Sequence, residues 1–128
     1  MAENTSYRVG VALTAVPVLF LVFDSAIKLS GSPMVAEAMT QLGYTADAAI
    51  GIALLEIACL ALYLVPRTSV LGAVLLTGYL GGAIATHVRV GNPLLSHVLF
   101  PTYIAAMLWG GLFLRERRLR VLLPLRAI

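Results

Sequence analysis

The chain has 128 residues and a net charge of +3, with 60% hydrophobic residues and only 12% charged residues. A soluble domain usually has about 25% charged residues, so this composition excludes the polar surface of an ordinary water-soluble fold and indicates that a lipid bilayer is the solvent. The positive charge therefore concerns membrane topology. No nucleic-acid motif accompanies it, and we expect no nucleic-acid partner.

Four apolar stretches approach the length of a membrane-spanning helix, which needs roughly 20 mostly apolar residues to cross a hydrocarbon core about 30 Å thick. Their connections are short except for one, and no linker or low-complexity tract interrupts the chain. The sequence therefore predicts one all-α domain over residues 1–128, a polytopic four-transmembrane-helix bundle. The predicted spans are residues 9–27, 48–65, 69–88 and 94–114.

The long first connection contains a short amphipathic segment, SGSPMVAEAMTQLG. Ser32 is suited to cap a helix, Pro33 to begin it, and Gly43 to follow its end. The apolar side chains of the segment fall mostly on one face and its polar side chains on another. We predict a short extracytoplasmic helix at the membrane interface; a lid over the outer mouth of the bundle is the alternative.

Polar residues also suggest how the second and fourth spans begin. Thr45 or Asp47 is placed to cap the second span. Asn92 followed by Pro93 is typical of a cap and first helical turn, here for the fourth span.

The third span contains a GxxxG pair, Gly78 and Gly82. Small residues at this spacing let membrane helices approach closely. We interpret the pair as internal packing of the bundle, with the seam of a homo-oligomer as the alternative.

Basic residues predict the orientation of the chain. With four spans, both termini and the second connection share one side, which holds seven arginines, whereas the other side holds only Lys28 and Arg89. Positive residues stay cytoplasmic, so both termini should face the cytoplasm of a multi-pass inner (plasma) membrane protein. The arginines of the cytoplasmic side are Arg8, Arg67, Arg115, Arg117, Arg118, Arg120 and Arg126.

Ionisable residues inside the predicted spans are the candidate site, because such groups are costly in a membrane and usually face the bundle interior. In the predicted orientation, all four spans place at least one of them in the outer half of the bundle. We predict that they converge on one outward-opening cavity, as ligand-binding or proton-exchange residues. The candidates are Glu56, His87, His97, Asp24 and Arg89.

Each candidate also has a structural interpretation. Asp24 can pair with Lys28 four residues later, and Arg89 can reach lipid headgroups. Glu56 has no charged neighbour on its own helix and needs a partner from another, which makes it the strongest candidate. The two histidines lack the spacing of a metal motif and lie near Arg89, so we expect no metal and no haem.

As a set, several motifs resemble the DoxX-like family of small bacterial four-helix membrane proteins. They include the run LLTGYLGGAIATHVR over residues 75–89 and the segment from Gly51 to Glu56. Single matches are Lys28-Leu29, Pro33, Leu42-Gly43-Tyr44, Pro66-Arg67 and Trp109-Gly110-Gly111.

The resemblance implies a link with membrane redox chemistry, since relatives are associated with thiosulfate oxidation and quinone reduction. The chain has one cysteine, Cys59, and no nucleotide or flavin motif, so a quinone or a soluble redox partner would have to carry electrons. We expect a quinone-like ligand-binding or accessory subunit of a membrane redox system. The alternative is a non-catalytic scaffold that anchors a partner.

Overall fold

The computed structural model describes residues 2–126, with side chains described from Asn4 onward. It is helical throughout, with no strand in the described residues. The helices are α1 (Ala2–Leu29), α2 (Pro33–Gln41), α3 (Ala48–Leu64), α4 (Ser69–Arg89), α5 (Phe100–Arg115) and α6 (Arg117–Leu122). A 3₁₀ turn over Pro66–Thr68 joins α3 to α4, and a π-helical turn over Leu94–Val98 precedes α5.

Three segments in the described residues are long and apolar enough to cross a membrane: Asn4–Leu29, Pro66–Arg89 and Leu94–Arg115. Helix α3 is also apolar but has only 17 residues, about 25 Å at 1.5 Å per residue. The predicted all-α membrane protein is thus confirmed as a class, and the fourth span stays a prediction.

The four long helices form a closed ring of contacts, in which α1 and α4 each pack on both α3 and α5. Their inner faces bury leucines, among them Leu21, Leu60, Leu76 and Leu108. Large apolar side chains such as Leu19 lie exposed on the outside of the ring. An apolar exterior around an apolar core is what a lipid solvent requires.

Helix α2 forms where the sequence predicts it, because its signals are local. The Ser32 hydroxyl accepts a hydrogen bond from the Val35 N–H at 3.4 Å, and Pro33 opens the helix. Gly43 follows its end with φ of +85°, a conformation that glycine adopts without steric cost. Val35 and Met39 bury their side chains against the start of α3.

Neither Asp47 nor Asn92 makes the predicted capping hydrogen bond. Asp47 precedes α3, but its side chain makes no capping hydrogen bond because its backbone is already helical, with φ −65° and ψ −25°. The Asn92 side chain is bonded to His87 Nδ1 at 2.7 Å instead of capping the next helix.

The sequence suggested one continuous α-helix for the fourth apolar stretch. The structure instead has a π-turn followed by α5. The Val98 N–H donates to the Pro93 carbonyl and the Leu99 N–H to the Leu94 carbonyl, the five-residue spacing of a π-turn. Pro101 stands in the first turn of α5. A proline lacks an N–H and its ring would collide with the carbonyl four residues earlier, so a regular α-helix has to begin again at this point.

The interpretation of Gly78 and Gly82 as packing residues is wrong. A Cβ built on either glycine would meet nothing within 4 Å. Helices α3 and α4 instead approach closely at Gly72, where a Cβ would overlap the Tyr63 backbone. The reason is the three-residue turn that joins them, which holds the two helices together near Gly72 and leaves them free to separate farther along.

Candidate functional site

Lys28 connects three helices through its ammonium group. Its Nζ is ion-paired with Asp24 Oδ2 on α1, and it donates to Glu56 Oε2 on α3 at 3.2 Å and to the Tyr79 hydroxyl on α4 at 2.7 Å. The Tyr79 hydroxyl in turn donates to Glu56 Oε2 at 3.0 Å. We call these four residues the Lys28 cluster. Two carboxylates share one ammonium in it, so the ionised cluster has one surplus negative charge.

Glu56 lies on the buried face of α3 and is 0% exposed. The same face carries other buried residues at helical spacing: Ala49, Ala53, Leu60 and Tyr63. Glu56 Oε1 has no hydrogen-bond partner among the described residues. A buried polar atom left unpaired costs about 1–3 kcal/mol, which offsets part of the stability that the bonds to Oε2 contribute.

A cleft of about 680 Å³ opens beside the Lys28 cluster, between α1, α2, α3, α4 and the start of α5. Its walls are mostly apolar, with Phe20 and Met39 among them. Gly78 and Gly82 also line it, and the absence of side chains there leaves the space open. Its polar lining comes from Asp24, Lys28, Tyr44, Tyr79, Thr86 and His87.

The two histidines lie together at the end of α4. Their rings make an edge contact with centroids 5.8 Å apart. His87 lines the cleft, and its Nδ1 accepts from the Asn92 amide, so the neutral ring carries its hydrogen on Nε2. His97 is exposed, bonds to Ser96 through Nδ1, and does not line the cleft.

Arg89 does not line the cleft but contacts residues at its edge. Its guanidinium donates to the Leu42 carbonyl at 2.7 Å and lies over the Tyr44 ring, 5.8 Å from the centroid. Arg89 therefore ties the end of α4 to the end of α2. Of the five sequence candidates, Asp24 and His87 line the cleft, Glu56 lies behind Lys28 and Tyr79, and His97 and Arg89 are outside.

Sequence reasoning omitted Lys28 and Tyr79 from the site. The sequence predicts Lys28 as the ion-pair partner of Asp24 and assigns no role in the site to Tyr79. One signal pointed to Lys28: it is the single lysine of the chain, and Glu56 required a cation from another helix. No sequence signal distinguished Tyr79 from the other tyrosines, because its role depends on which helix α4 faces.

A second polar cluster lies at the opposite end of the bundle. Arg115 donates to Thr14 Oγ1 and to the Tyr63 hydroxyl, both at 3.2 Å, and Tyr63 donates to the Leu108 carbonyl at 2.6 Å. Buried Leu21 on α1 and Leu60 on α3 stand between this cluster and the Lys28 cluster. Leu21 also lines the cleft, so buried apolar side chains lie between the cleft and the Arg115 contacts.

The sequence profile of the DoxX-like family matches residues 12–111, most of the chain. Comparisons with curated proteins and with solved structures gave no match. The matched segment contains the whole Lys28 cluster and His87, so the cleft belongs to the part that the family shares. The chain is an integral membrane protein and belongs to the DoxX-like family.

Proposed function

We propose that this protein binds a quinone-like amphipathic molecule in its cleft, as a ligand-binding or accessory subunit of a membrane redox system. One observation carries the proposal: a large apolar cleft in a membrane protein has its few polar groups gathered around the Lys28 cluster and His87. Small-molecule sites typically have volumes of about 300–1,000 Å³, apolar walls and a few placed polar groups.

The walls suit a flat ring with an apolar tail. Phe20 and Phe100 both line the cleft, with ring centroids 5.0 Å apart in an edge contact. Ile27, Met39 and Leu55 add aliphatic surface. A ring and tail would bury against these side chains, while the head group would reach Asp24 and His87. In such a complex the ligand or a soluble partner supplies the redox chemistry.

The proposal includes a four-span topology with both termini cytoplasmic. Helix α3 packs between α1 and α4 in the ring of long helices, which supports counting it as the fourth span in spite of its length. The excess of arginines at one end of the bundle supports a cytoplasmic location for that end. The cleft, at the other end, would open to the extracytoplasmic side of the inner membrane.

The test is to measure the quinone and quinol that co-purify with the protein in mild detergent, by liquid chromatography and mass spectrometry. Gly82→Leu fills open space in the cleft, while Gly81→Leu adds the same side chain to an open position outside it. We expect bound quinone or quinol in the wild type and in Gly81→Leu, and at least a tenfold loss in Gly82→Leu.

Equal amounts in both variants, at the level of bulk lipid extraction, would contradict binding in the cleft. An empty cleft with a co-purifying soluble enzyme would favour the partner-anchoring scaffold instead. Thermal unfolding of the two variants gives the control for folding, because each replaces a helical glycine with no atom in its way.

A further inference from the structure

We infer that the cleft selects a hydrogen-bond-donating head group, and hence the reduced quinol over the oxidised quinone. This inference rests on the proposed function and adds the form of the ligand that is bound. On the cleft wall, most hydrogen-bond donors already have partners within the protein, whereas some acceptors do not.

The donors of the Lys28 cluster are all occupied. An ammonium has three hydrogens, and those of Lys28 are directed to Asp24, Glu56 and Tyr79. The single hydroxyl hydrogen of Tyr79 goes to Glu56. Neither side chain therefore has a hydrogen left for a ligand carbonyl, although both line the cleft.

The hydroxyl donors near the α2–α4 contact are also occupied. Thr86 donates to the Gly82 carbonyl at 2.8 Å. Because that uses its only hydrogen, the 2.9 Å contact between Tyr44 and Thr86 has Tyr44 as the donor. Among the polar side chains on the described cleft wall, His87 Nε2 is the remaining donor.

Acceptors are left over. Asp24 uses Oδ2 for Lys28, and no contact in the described part of the chain uses Oδ1. Its side chain is 33% exposed, so this oxygen is accessible. Behind it lies Glu56, whose Oε1 is also unpaired.

A quinol and a quinone differ in this respect. A quinol hydroxyl can donate to Asp24 Oδ1, while the oxygen at the far side of its ring accepts from His87. A quinone can accept from His87 in the same way, but its other carbonyl would face a carboxylate with no hydrogen between them. Asp24 is thus the residue that discriminates between quinol and quinone. A hydrogen bond to its charged carboxylate is stronger than one between neutral groups.

The test compares decylubiquinol with decylubiquinone on wild-type protein in lipid nanodiscs without oxygen, by calorimetric titration. We expect the quinol to bind at least about tenfold more tightly, the ratio that one charged hydrogen bond supplies. In Asp24→Asn the amide offers a hydrogen as well as an oxygen, so the preference should vanish through tighter quinone binding. Asp47→Asn, an exposed carboxylate outside the cleft, should keep the wild-type ratio.

Equal binding of the two forms by the wild type, or tighter binding of the quinone, would overturn this inference and leave the proposed function standing. Binding of neither form would overturn the proposed function itself. The wild-type comparison decides the matter even if Asp24→Asn fails to fold without its bond to Lys28.

Discussion

Glu56 is an ionisable residue in an apolar core, and its hydrogen-bond partners explain how it is accommodated there. It occupies a fully buried position on α3, where a leucine would fit the pattern of its neighbours. It is tolerated because Lys28 and Tyr79 both bond to Oε2. In an apolar environment such partners are required, since an unpaired charge in the membrane is strongly penalised.

The loss of stability on replacing Glu56 should therefore depend on how many hydrogen bonds from Lys28 and Tyr79 the new side chain can still accept. Glu56→Gln keeps one oxygen to accept from Lys28 and Tyr79, and we expect a loss of about 1 kcal/mol or less in the free energy of unfolding. Glu56→Ala leaves both donors without that partner and opens a cavity, so we expect a loss of about 2–4 kcal/mol. Unfolding in detergent with increasing denaturant measures both.

Two outcomes would count against this account of Glu56. Equal losses in the two variants would mean that the hydrogen bonds to Oε2 contribute nothing. An increase in stability with alanine would mean that Glu56 is a burden on the fold even with its partners present. Asp47→Asn is the matched control, since it alters an exposed carboxylate at the start of the same helix.

Among the elements, the sequence predicted those whose signals are local. Helix α2 follows from Ser32, Pro33 and Gly43, and the third span agrees with α4 to within one residue at its end. The break before α5 was missed, although Pro101 was visible, because an apolar run of suitable length outweighed one proline. Hydropathy reports burial in lipid and carries no information on α- against π-helical bonding.

Side-chain partners were harder to predict than helices. Glu56 could be identified as a buried group in need of a cation, because this follows from its own helix. Which helix supplies the cation depends on how α1 and α4 rotate about their axes, and several rotations satisfy the same apolar pattern. The same ambiguity explains Gly78 and Gly82: the spacing predicts a smooth helix face, but that face can border a neighbour or a cleft.

The α3–α4 contact gives a prediction at this scale. Gly72→Ala should lower the free energy of unfolding by about 1–3 kcal/mol, because the added Cβ would overlap the Tyr63 backbone and force the helices apart. Gly81→Ala, at an open position on the same helix, should raise stability by about 0.5–1 kcal/mol through helix propensity. Denaturation in detergent compares them, and a Gly72→Ala variant as stable as wild type would contradict the close approach.

Across the whole molecule, the two ends of the bundle differ in chemistry. The end with α6 carries most of the arginines, and two exposed examples, Arg67 and Arg118, line a surface groove there. The other end carries the cleft, the Lys28 cluster and the histidine pair. Buried apolar residues, among them Leu21 and Leu60, lie between the two ends.

The excess of arginines at the α6 end predicts that both termini lie in the cytoplasm. A phosphatase reporter, active only outside the cytoplasm, should be inactive when fused after Arg126 and active when inserted beside Ser32. A cytoplasmic fluorescent reporter at the same positions should give the opposite pattern and serves as the control for expression. Phosphatase activity at the C-terminus would reverse the orientation and place the cleft on the inner side.

Photoaffinity labelling with an azido-quinone shows whether the ligand binds in the cleft. Mass spectrometry of the labelled protein should place the adducts on the walls of the cleft, in the segments around Met39 and Gly82. Excess decylubiquinol should abolish them, and Gly82→Leu should lose them while Gly81→Leu keeps them. Adducts confined to lipid-exposed positions such as Leu19 or Leu54, and insensitive to the competitor, would contradict the account.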